Sequence, residues 1–303
     1  MKIVIIGSGG RLGAALLRGY RNGSPSHKFD LTSFNHDQLD LEDLDLIRST
    51  LGDLEFDVVI NAAAFTNVDL SEKERERAFR INADAPGVLA EICQNKKAKL
   101  IHFSTDYVFD GKKREPYLET DAAKPISVYG ESKRAGEKNV LAVSDRNLVI
   151  RVSWVFGPDR PSFIDQMIDQ ARKNETIAAV ADKFSTPSYT RDIAGMLLNV
   201  VAGGADPGLS SGVYSGILHI ANAGECSWQE YAQFAIDCCR SLGLPMKART
   251  VGAIKLSDMK NWVARRPVYS VLAIEKYFSI TGATPRNWRD AVGEYVREFV
   301  ARR

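Results

Sequence analysis

A tyrosine and a lysine four residues apart are the side chains in this sequence best suited to proton transfer. Tyr129 and Lys133 lie in the segment VYGESKRAGE, Val128–Glu137, which holds the chain's single Tyr-x-x-x-Lys. In a helix both side chains project from one face and can reach one reacting group. A phenol ordinarily titrates at about pH 10, and a nearby ammonium favours the phenolate. The pair therefore predicts a catalytic acid or base at Tyr129, with Lys133 lowering its pKa.

A hydroxyl upstream of this pair is a candidate partner for a carbonyl oxygen. Ser104 and Thr105 follow the apolar run Lys99–Phe103, which predicts a buried strand. A hydroxyl at the end of a strand can hydrogen-bond a substrate ketone, although hydroxyls also cap helices and turns. Together with Tyr129, we expect Thr105 to bind the oxygen that becomes protonated.

Glycines near the N-terminus predict a site for a dinucleotide. The β-branched run Lys2–Ile6 predicts a buried parallel strand, and the residues from position 12 to 21 have helical periodicity. The turn between them has the spacing G-x-x-G-x-x-G. It would allow a tight turn, close approach of a phosphate to the backbone, and packing of the helix on the strand. The cofactor-binding residues predicted in this turn are Gly7, Gly10, Arg11, Leu12 and Gly13.

The end of the second predicted strand, Phe29–Asn35, bears on the choice between NADH and NADPH. An acidic residue at this end would accept the ribose 2′-hydroxyl and repel a 2′-phosphate. Asn35 is neutral, and Arg11 or His36 could hold the phosphate, whereas Asp37 argues the other way. The sequence therefore leaves both cofactors open, with a small preference for NADPH.

Two short segments are predicted to contact the rest of the cofactor. Asp40 and Leu41 stand where a pair contacting the adenine would lie. The third predicted strand, Phe56–Ile60, is followed by small side chains that let a dinucleotide pass close to the backbone. These are Ala62, Ala63 and Ala64.

Strands and helices alternate over the first half of the chain, including a helix predicted over Arg75–Gln94. This order predicts an α/β fold with a doubly wound parallel sheet of the Rossmann type, whose ligands lie beyond the carboxyl ends of the strands. The alternation is lost near Gly157, which predicts a smaller C-terminal substrate-binding lobe. The predicted boundaries are 1–156, rejoined by 188–222, for the dinucleotide-binding domain, and 157–187 with 223–303 for the lobe.

Several motifs in this order resemble the extended short-chain dehydrogenase/reductase superfamily, and within it the dTDP-4-dehydrorhamnose reductase family. The main ones are NAAAFTNVD (Asn61–Asp69), STDYVFDG (Ser104–Gly111), YGESKRAGE (Tyr129–Glu137) and RVSWVFG (Arg151–Gly157). Weaker blocks follow. DKFSTPSYTRD (Asp182–Asp192) resembles the family's D-Q-x-G-x-P-T-x-x-x-D, and RPVYSVL (Arg266–Leu272) resembles its R-P-x-N/Y-S-x-L. The resemblance covers nearly the whole chain.

This resemblance implies NAD(P)H-dependent reduction of the 4-keto group of a nucleotide-activated 6-deoxy sugar. Thr105 would hydrogen-bond the ketone, Tyr129 would donate the proton, and Lys133 would also hydrogen-bond the nicotinamide ribose. A nucleotide-sugar is the implied substrate. The substrate-binding residues implied are Thr105, Asp106, Tyr107 and Trp154 for the sugar, with Arg266 for the diphosphate because a guanidinium pairs bidentately with phosphate.

Departures from the family pattern bear on the reaction and the substrate. Related sugar-nucleotide dehydratases carry Asp-Glu after the threonine, whereas this chain has Asp106 and Tyr107, which favours simple reduction. Phe65 and Leu70 stand where the family usually has Tyr and Lys, and Ala273 where it usually has Asp. These changes leave the particular sugar open.

Two other functions remain open at this point. A non-catalytic dinucleotide-binding subunit, resembling the regulatory subunit of methionine adenosyltransferase, would share the fold; the intact set of Thr105, Tyr129 and Lys133 argues against it. A nucleotide-sugar epimerase would oxidise and re-reduce its substrate while retaining the cofactor.

Composition narrows the partners further. The 303 residues carry a net charge of +2 with both signs interspersed, which predicts no binding to nucleic acid. No apolar run approaches the length of a membrane span, and the N-terminal run predicts a strand instead of a signal peptide. Four cysteines without metal-ligand spacing predict no metal site and suit the reduced cytoplasm. The oligomeric state is left open, a homodimer included.

Overall fold

Twelve strands form within the residues that the computed structural model describes, which are 1–21, 29–201 and 214–302. In chain order they are β1 (Lys2–Ile6), β2 (Asp30–Phe34), β3 (Val58–Asn61), β4 (Lys99–Thr105), β5 (Leu148–Val152), β6 (Val155–Phe156), β7 (Ile177–Val180), β8 (Phe184–Ser185), β9 (Ser188–Tyr189), β10 (Gly216–His219), β11 (Cys226–Ser227) and β12 (Val251–Ile254).

Eleven α-helices alternate with these strands in the same described ranges. They are α1 (Arg11–Arg21), α2 (Leu44–Gly52), α3 (Val68–Lys73), α4 (Arg75–Phe79), α5 (Ala85–Asn95), α6 (Val128–Val143), α7 (Phe163–Lys173), α8 (Thr190–Val201), α9 (Trp228–Ser241), α10 (Glu275–Thr281) and α11 (Trp288–Tyr295). Short 3₁₀ segments cover Asp106–Val108 and Leu256–Asp258, and π-helical segments cover Arg80–Asp84 and Val296–Val300.

Six strands make one parallel sheet in the order β2-β1-β3-β4-β5-β10. Alternate residues of β1 enter different cores: Ile3 and Ile5 pack with α1 and α8 on one face, and Val4 and Ile6 pack with α2 and α5 on the other. Because both faces are covered, the inner strands β1, β3, β4 and β5 are buried on both sides, whereas the edge strand β2 is partly exposed. The predicted doubly wound sheet is confirmed, with its topological switch point between β1 and β3.

A smaller set of elements packs beyond the carboxyl edge of the sheet. Helices α7, α9 and α11 enclose a separate apolar cluster. The chain also returns to the sheet, because β10 pairs with β5 and α8 packs against α1. The division into two domains stays a proposal, and residues 202–213 of its 188–222 segment lie outside the described residues.

The helix predicted over Arg75–Gln94 is not continuous. A π-helical segment, Arg80–Asp84, separates α4 from α5. Pro86, near the start of α5, has no amide hydrogen and cannot donate to the carbonyl of Asn82 four residues earlier. The wider turn also lets the Asn82 carbonyl meet α6 at Gly136, where a Cβ would lie 2.1 Å from that oxygen.

Candidate active site

Helix α6 presents the Tyr-x-x-x-Lys pair at the carboxyl edge of the sheet. It begins after Ser127, whose hydroxyl accepts a hydrogen bond from the Gly130 amide at 3.2 Å. A Cβ at Gly130 would lie 2.3 Å from the carbonyl oxygen of Tyr107, so only glycine lets the helix approach this segment. The ring centroids of Tyr107 and Tyr129 are 5.8 Å apart, edge to face. The first turn of α6 is thereby fixed against the end of β4.

Thr105, the last residue of β4, lies beside Tyr129. Its hydroxyl donates to Asp106 Oδ1 at 3.1 Å and accepts from the Tyr107 amide at 3.2 Å. Burial raises the pKa of Tyr129 to about 12, and hydrogen bonding to the Thr105 hydroxyl offsets part of that rise. At neutral pH Tyr129 is therefore a protonated phenol with a hydroxyl beside it, the form that a proton donor requires.

Lys133 is held by a buried polar chain that sequence reasoning did not find. Its amine donates to the Phe103 carbonyl at 2.6 Å and lies 3.3 Å from Nε2 of His102. The other ring nitrogen of His102 is 3.2 Å from the Asn61 side-chain amide, whose oxygen accepts from the Ala63 amide at 3.1 Å. These hydrogen bonds link the ends of β3 and β4 to α6, and they fix the Lys133 side chain.

No contact pairs the Lys133 amine with the Tyr129 hydroxyl among the described residues, and the predicted lowering of the Tyr129 pKa by Lys133 stays a prediction. Burial lowers the pKa of Lys133 itself to about 7, although the charge of Glu137 opposes that change. The Lys133 amine is directed at Phe103 and His102, and the pKa of Tyr129 lies above its ordinary value. Desolvation is thus the largest cause of both pKa changes.

Asp106 is buried behind the site instead of lining it. Its Oδ2 accepts from Ser153 at 3.1 Å, from Ser185 at 3.1 Å and from Ser270 at 2.5 Å, while Oδ1 accepts from Thr105. The residue is 3 % exposed. With both oxygens occupied, Asp106 fixes Thr105, and the structure gives no support to the sugar contact predicted for it.

Aromatic rings form a wall beside Tyr107. Trp154 stacks on Trp228 at 5.1 Å between centroids, and Trp228 meets Trp262 at 5.2 Å. Trp154 has φ +41°, a left-handed conformation that costs about 1–3 kcal/mol for a residue other than glycine and often marks a functional site. The ammonium of Lys183 lies 5.3 Å from the Tyr107 ring and 5.9 Å from the Trp228 ring. Neither Trp228, Trp262 nor Lys183 was predicted.

Arg266, the residue predicted for the diphosphate, is already paired. Its guanidinium donates to Asp69 at 2.6 and 3.1 Å and to the Ala264 carbonyl at 2.9 Å, and it lies 3.8 Å above the Trp262 ring. These bonds hold the segment after Ala264 against α3. Arg266 contributes charge near the wall, but its donors face Asp69.

The glycine turn fits a dinucleotide. Gly7 has φ +85°, and a Cβ there would lie 2.7 Å from the Ala63 amide nitrogen. A Cβ at Gly13 would lie 2.1 Å from the Gly7 carbonyl oxygen, so the start of α1 packs directly on the turn. Within the described residues the amides of Arg11 and Leu12 donate to no other group. Free amides at a helix N-terminus are the donors that a pyrophosphate needs.

The arginine predicted to hold a 2′-phosphate is directed elsewhere. Arg11 donates to the carbonyls of Val155 (3.3 Å), Arg160 (3.2 Å) and Pro161 (2.5 Å). Arg160 instead lies over the turn, with Nε donating to the Gly9 carbonyl at 2.8 Å. A Cβ built at Gly9 would be 3.3 Å from Asn35 and 4.0 Å from the Arg160 guanidinium. These contacts place the exposed guanidinium of Arg160 close to Asn35, which follows β2.

The other predicted cofactor contacts surround the same edge. Asn35 exchanges hydrogen bonds with Gln38 at 3.0 Å, and Asp40 accepts from the Glu42 amide at 3.0 Å. Leu41 is buried in the sheet core at 4 % exposure, so little of it is open to an adenine. Ala62, Ala63 and Ala64 follow β3 and are half-buried. Their roles toward a cofactor stay predictions.

A parallel sheet with a glycine turn after its first strand and a Thr, Tyr and Lys set at its carboxyl edge defines an extended short-chain dehydrogenase/reductase. The family model of the RmlD substrate binding domain matches residues 1–301. The chain therefore belongs to the dTDP-4-dehydrorhamnose reductase family.

Individual relatives agree over almost the full length. The dTDP-4-dehydrorhamnose reductase of Mycolicibacterium smegmatis is 37% identical over 302 residues, which are 99% of this chain and 86% of the relative. A probable dTDP-4,6-dihydroxy-2-methyloxan-3-one 4-ketoreductase of Streptomyces antibioticus is 35% identical, covering 99% and 96% of the two chains. The crystal structure of the Bacillus anthracis dTDP-4-dehydrorhamnose reductase in complex with NADP superposes with a TM-score of 0.86 at 28% identity, covering 98% of this chain and 99% of that one.

Proposed function

We propose that this protein reduces the 4-keto group of a dTDP-activated 6-deoxy sugar, dTDP-4-dehydrorhamnose, using NADPH. The observation that carries the proposal is the meeting of Thr105, Tyr129 and Lys133 at the carboxyl edge of the sheet, beside the glycine turn. The relatives named as reductases and the neighbour crystallised with NADP support the substrate class and the cofactor.

The residues divide the reaction between them. The nicotinamide supplies the hydride when it is bound. The Thr105 hydroxyl turns its proton from Asp106 to donate to the ketone oxygen, and Tyr129 donates its own proton as the alkoxide forms. Because burial keeps the pKa of Tyr129 at about 12, the phenol is fully protonated before the reaction. Lys133 anchors the ribose and, once a cofactor is present, favours release of the Tyr129 proton.

Asp106 acts through Thr105. Hydroxyls of Ser153, Ser185 and Ser270 hold its carboxylate, which in turn receives the Thr105 hydroxyl. We therefore treat Asp106 as a positioning residue.

Finer points about the substrate, the location and the assembly of the protein belong to the same proposal. A second dTDP-4-ketosugar remains a candidate substrate, because the Streptomyces antibioticus relative is named for one. None of the helices in the described ranges is long and apolar enough to cross a membrane. A location in the cytoplasm is part of the proposal, and free thiols support it because disulfides are rare in that compartment. The free thiols are those of Cys93, Cys226, Cys238 and Cys239. A homodimer stays a prediction.

Replacing Tyr129 with Phe tests the assignment of the proton donor. We expect turnover with dTDP-4-dehydrorhamnose to fall at least about 100-fold, while NADPH binds as tightly as before, because only the proton donor is removed. Tyr277→Phe is the matched control, since this tyrosine is buried on the opposite face of the sheet against α8. Full turnover by Tyr129→Phe would refute the role given to Tyr129.

A further inference from the structure

Lys183 is a buried cation without a hydrogen-bonding partner. It lies between β7 and β8 and is 1 % exposed. Its ammonium faces the rings of Tyr107 and Trp228 at 5.3 and 5.9 Å. In the described part of the chain no oxygen accepts a hydrogen bond from it, and no carboxylate lies within ion-pair distance. A buried charge in this state is costly, and the two rings offset only part of that cost.

The neighbouring charges are already paired with other groups. Asp106 is the anion whose charge acts on Lys183, but hydroxyls occupy both of its oxygens. Arg266 also acts on Lys183, as a like charge, and is itself paired with Asp69. An anionic oxygen from outside the chain is therefore the partner that the Lys183 ammonium lacks.

The position of Lys183 indicates which part of the substrate supplies that oxygen. Tyr107 neighbours both Tyr129 and Lys183, with its ring 5.8 Å from the Tyr129 ring and 5.3 Å from the ammonium. A hexose whose C4 meets Tyr129 directs C1 to the far side of its own ring. In a nucleotide-activated 6-deoxy sugar, C1 carries the diphosphate, which is the only charged group.

We propose that Lys183 binds the diphosphate of the nucleotide-sugar, one sugar ring away from Tyr129. The proposal rests on the proposed function for the orientation of the sugar. It differs from the prediction that Arg266 binds this group, since the donors of Arg266 face Asp69. The rings of Trp154, Trp228 and Trp262 lie in contact with one another next to Lys183.

Direct binding tests the proposal without turnover. The probes are dTDP, which carries the diphosphate, and thymidine, which does not, with quenching of tryptophan fluorescence as the readout. We expect Lys183→Gln and Lys183→Met to weaken dTDP on the order of tenfold and to leave thymidine unchanged, because only a charge-assisted hydrogen bond is lost. Lys99→Gln is the matched control: this lysine is also buried but begins β4, at the opposite end of the strand from Thr105.

The pH dependence of dTDP binding gives a second readout. Burial lowers the pKa of Lys183 to about 8, which the charge of Asp106 opposes and that of Arg266 reinforces. Burial holds the pKa of Tyr107, which faces the ammonium, above its ordinary value. The affinity for dTDP should therefore fall as pH rises through about 8, by about tenfold in total, and this fall should be absent in Lys183→Gln.

The outcomes separate the two proposals. Folded Lys183 variants that keep the wild-type ratio of dTDP to thymidine affinity would overturn the diphosphate site. Lysine-dependent dTDP binding by a wild-type protein that fails to reduce dTDP-4-dehydrorhamnose would support the site and overturn the proposed function.

Discussion

Two arginines near the glycine turn differ in where their donors point. Arg11 was predicted from its place in the turn, yet its guanidinium is bound by three carbonyls between Val155 and Pro161. Arg160, about 150 positions away in sequence, lies over Gly9 instead. No local spacing indicates such a contact, because it depends on how the segment after β6 folds back over the turn. The sequence thus predicted a cation at the glycine turn, but the fold places Arg160 there instead of the guanidinium of Arg11.

Arg160→Gln should reduce the preference for NADPH over NADH. A guanidinium can pair with a 2′-phosphate, so its loss should weaken NADPH on the order of tenfold and leave NADH nearly unchanged. The dissociation constants can be measured from nicotinamide fluorescence. Arg240→Gln, an equally exposed change on α9, serves as the control. Equal weakening of both cofactors would contradict a role at the 2′-phosphate.

Helix α6 illustrates how much an element's sequence can and cannot predict. That Tyr129 and Lys133 lie on one face of a helix follows from their spacing within Val128–Glu137. The helix also carries Glu137, which is fully buried and accepts two hydrogen bonds of 2.8 Å from Arg151 on β5 and one of 2.7 Å from Ser104. Neither this ion pair nor His102 behind Lys133 could be predicted, since both join residues that meet only through the sheet.

Glu137→Gln should destabilise the fold strongly. Burial alone would raise the pKa of Glu137, but hydrogen bonds from Arg151 outweigh that effect and hold it below its ordinary value. Removing one partner of a buried ion pair costs about 3–5 kcal/mol, which denaturant unfolding at pH 7 can measure. Glu91→Gln, which breaks an exposed pair with Arg48, should cost less than about 1 kcal/mol.

The sign of the pH dependence follows from the lowered pKa. The stabilisation by Glu137 is complete above the unfolded value of about 4.3 and is lost as pH falls through the folded pKa. The difference between wild type and Glu137→Gln should therefore shrink in acid. A difference that stayed constant down to about pH 2 would contradict this account.

At the scale of the whole molecule, the candidate active site at the carboxyl edge of the sheet is formed by segments that are far apart in sequence. The doubly wound parallel sheet and the ligand site expected at its carboxyl edge were predicted from strand and helix alternation, because the runs that form the inner strands are buried on both faces. The substrate side was less predictable. Four residues of this side lie 78 to 165 positions after Thr105 and meet only in the folded chain: Lys183, Trp228, Trp262 and Ser270.

Ser270→Ala tests this convergence. Loss of its hydrogen bond to the buried Asp106 carboxylate should lower the free energy of unfolding by about 1.5–3 kcal/mol. It should also lower kcat through Thr105 and leave NADPH binding unchanged, since the glycine turn is not touched. Ser279→Ala on the exposed face of α10 should change each quantity little. Unchanged kcat in folded Ser270→Ala would show that Asp106 does not position Thr105.

The most direct test of the central claim is net oxidation of NADPH by the purified protein in the presence of dTDP-4-dehydrorhamnose, followed by nicotinamide absorbance. We predict one NADPH consumed for each ketone reduced, and consumption at least about 100-fold slower by Tyr129→Phe. Tight cofactor binding without net consumption by the wild-type protein would contradict the account, and would point to an epimerase or to a dinucleotide-binding subunit.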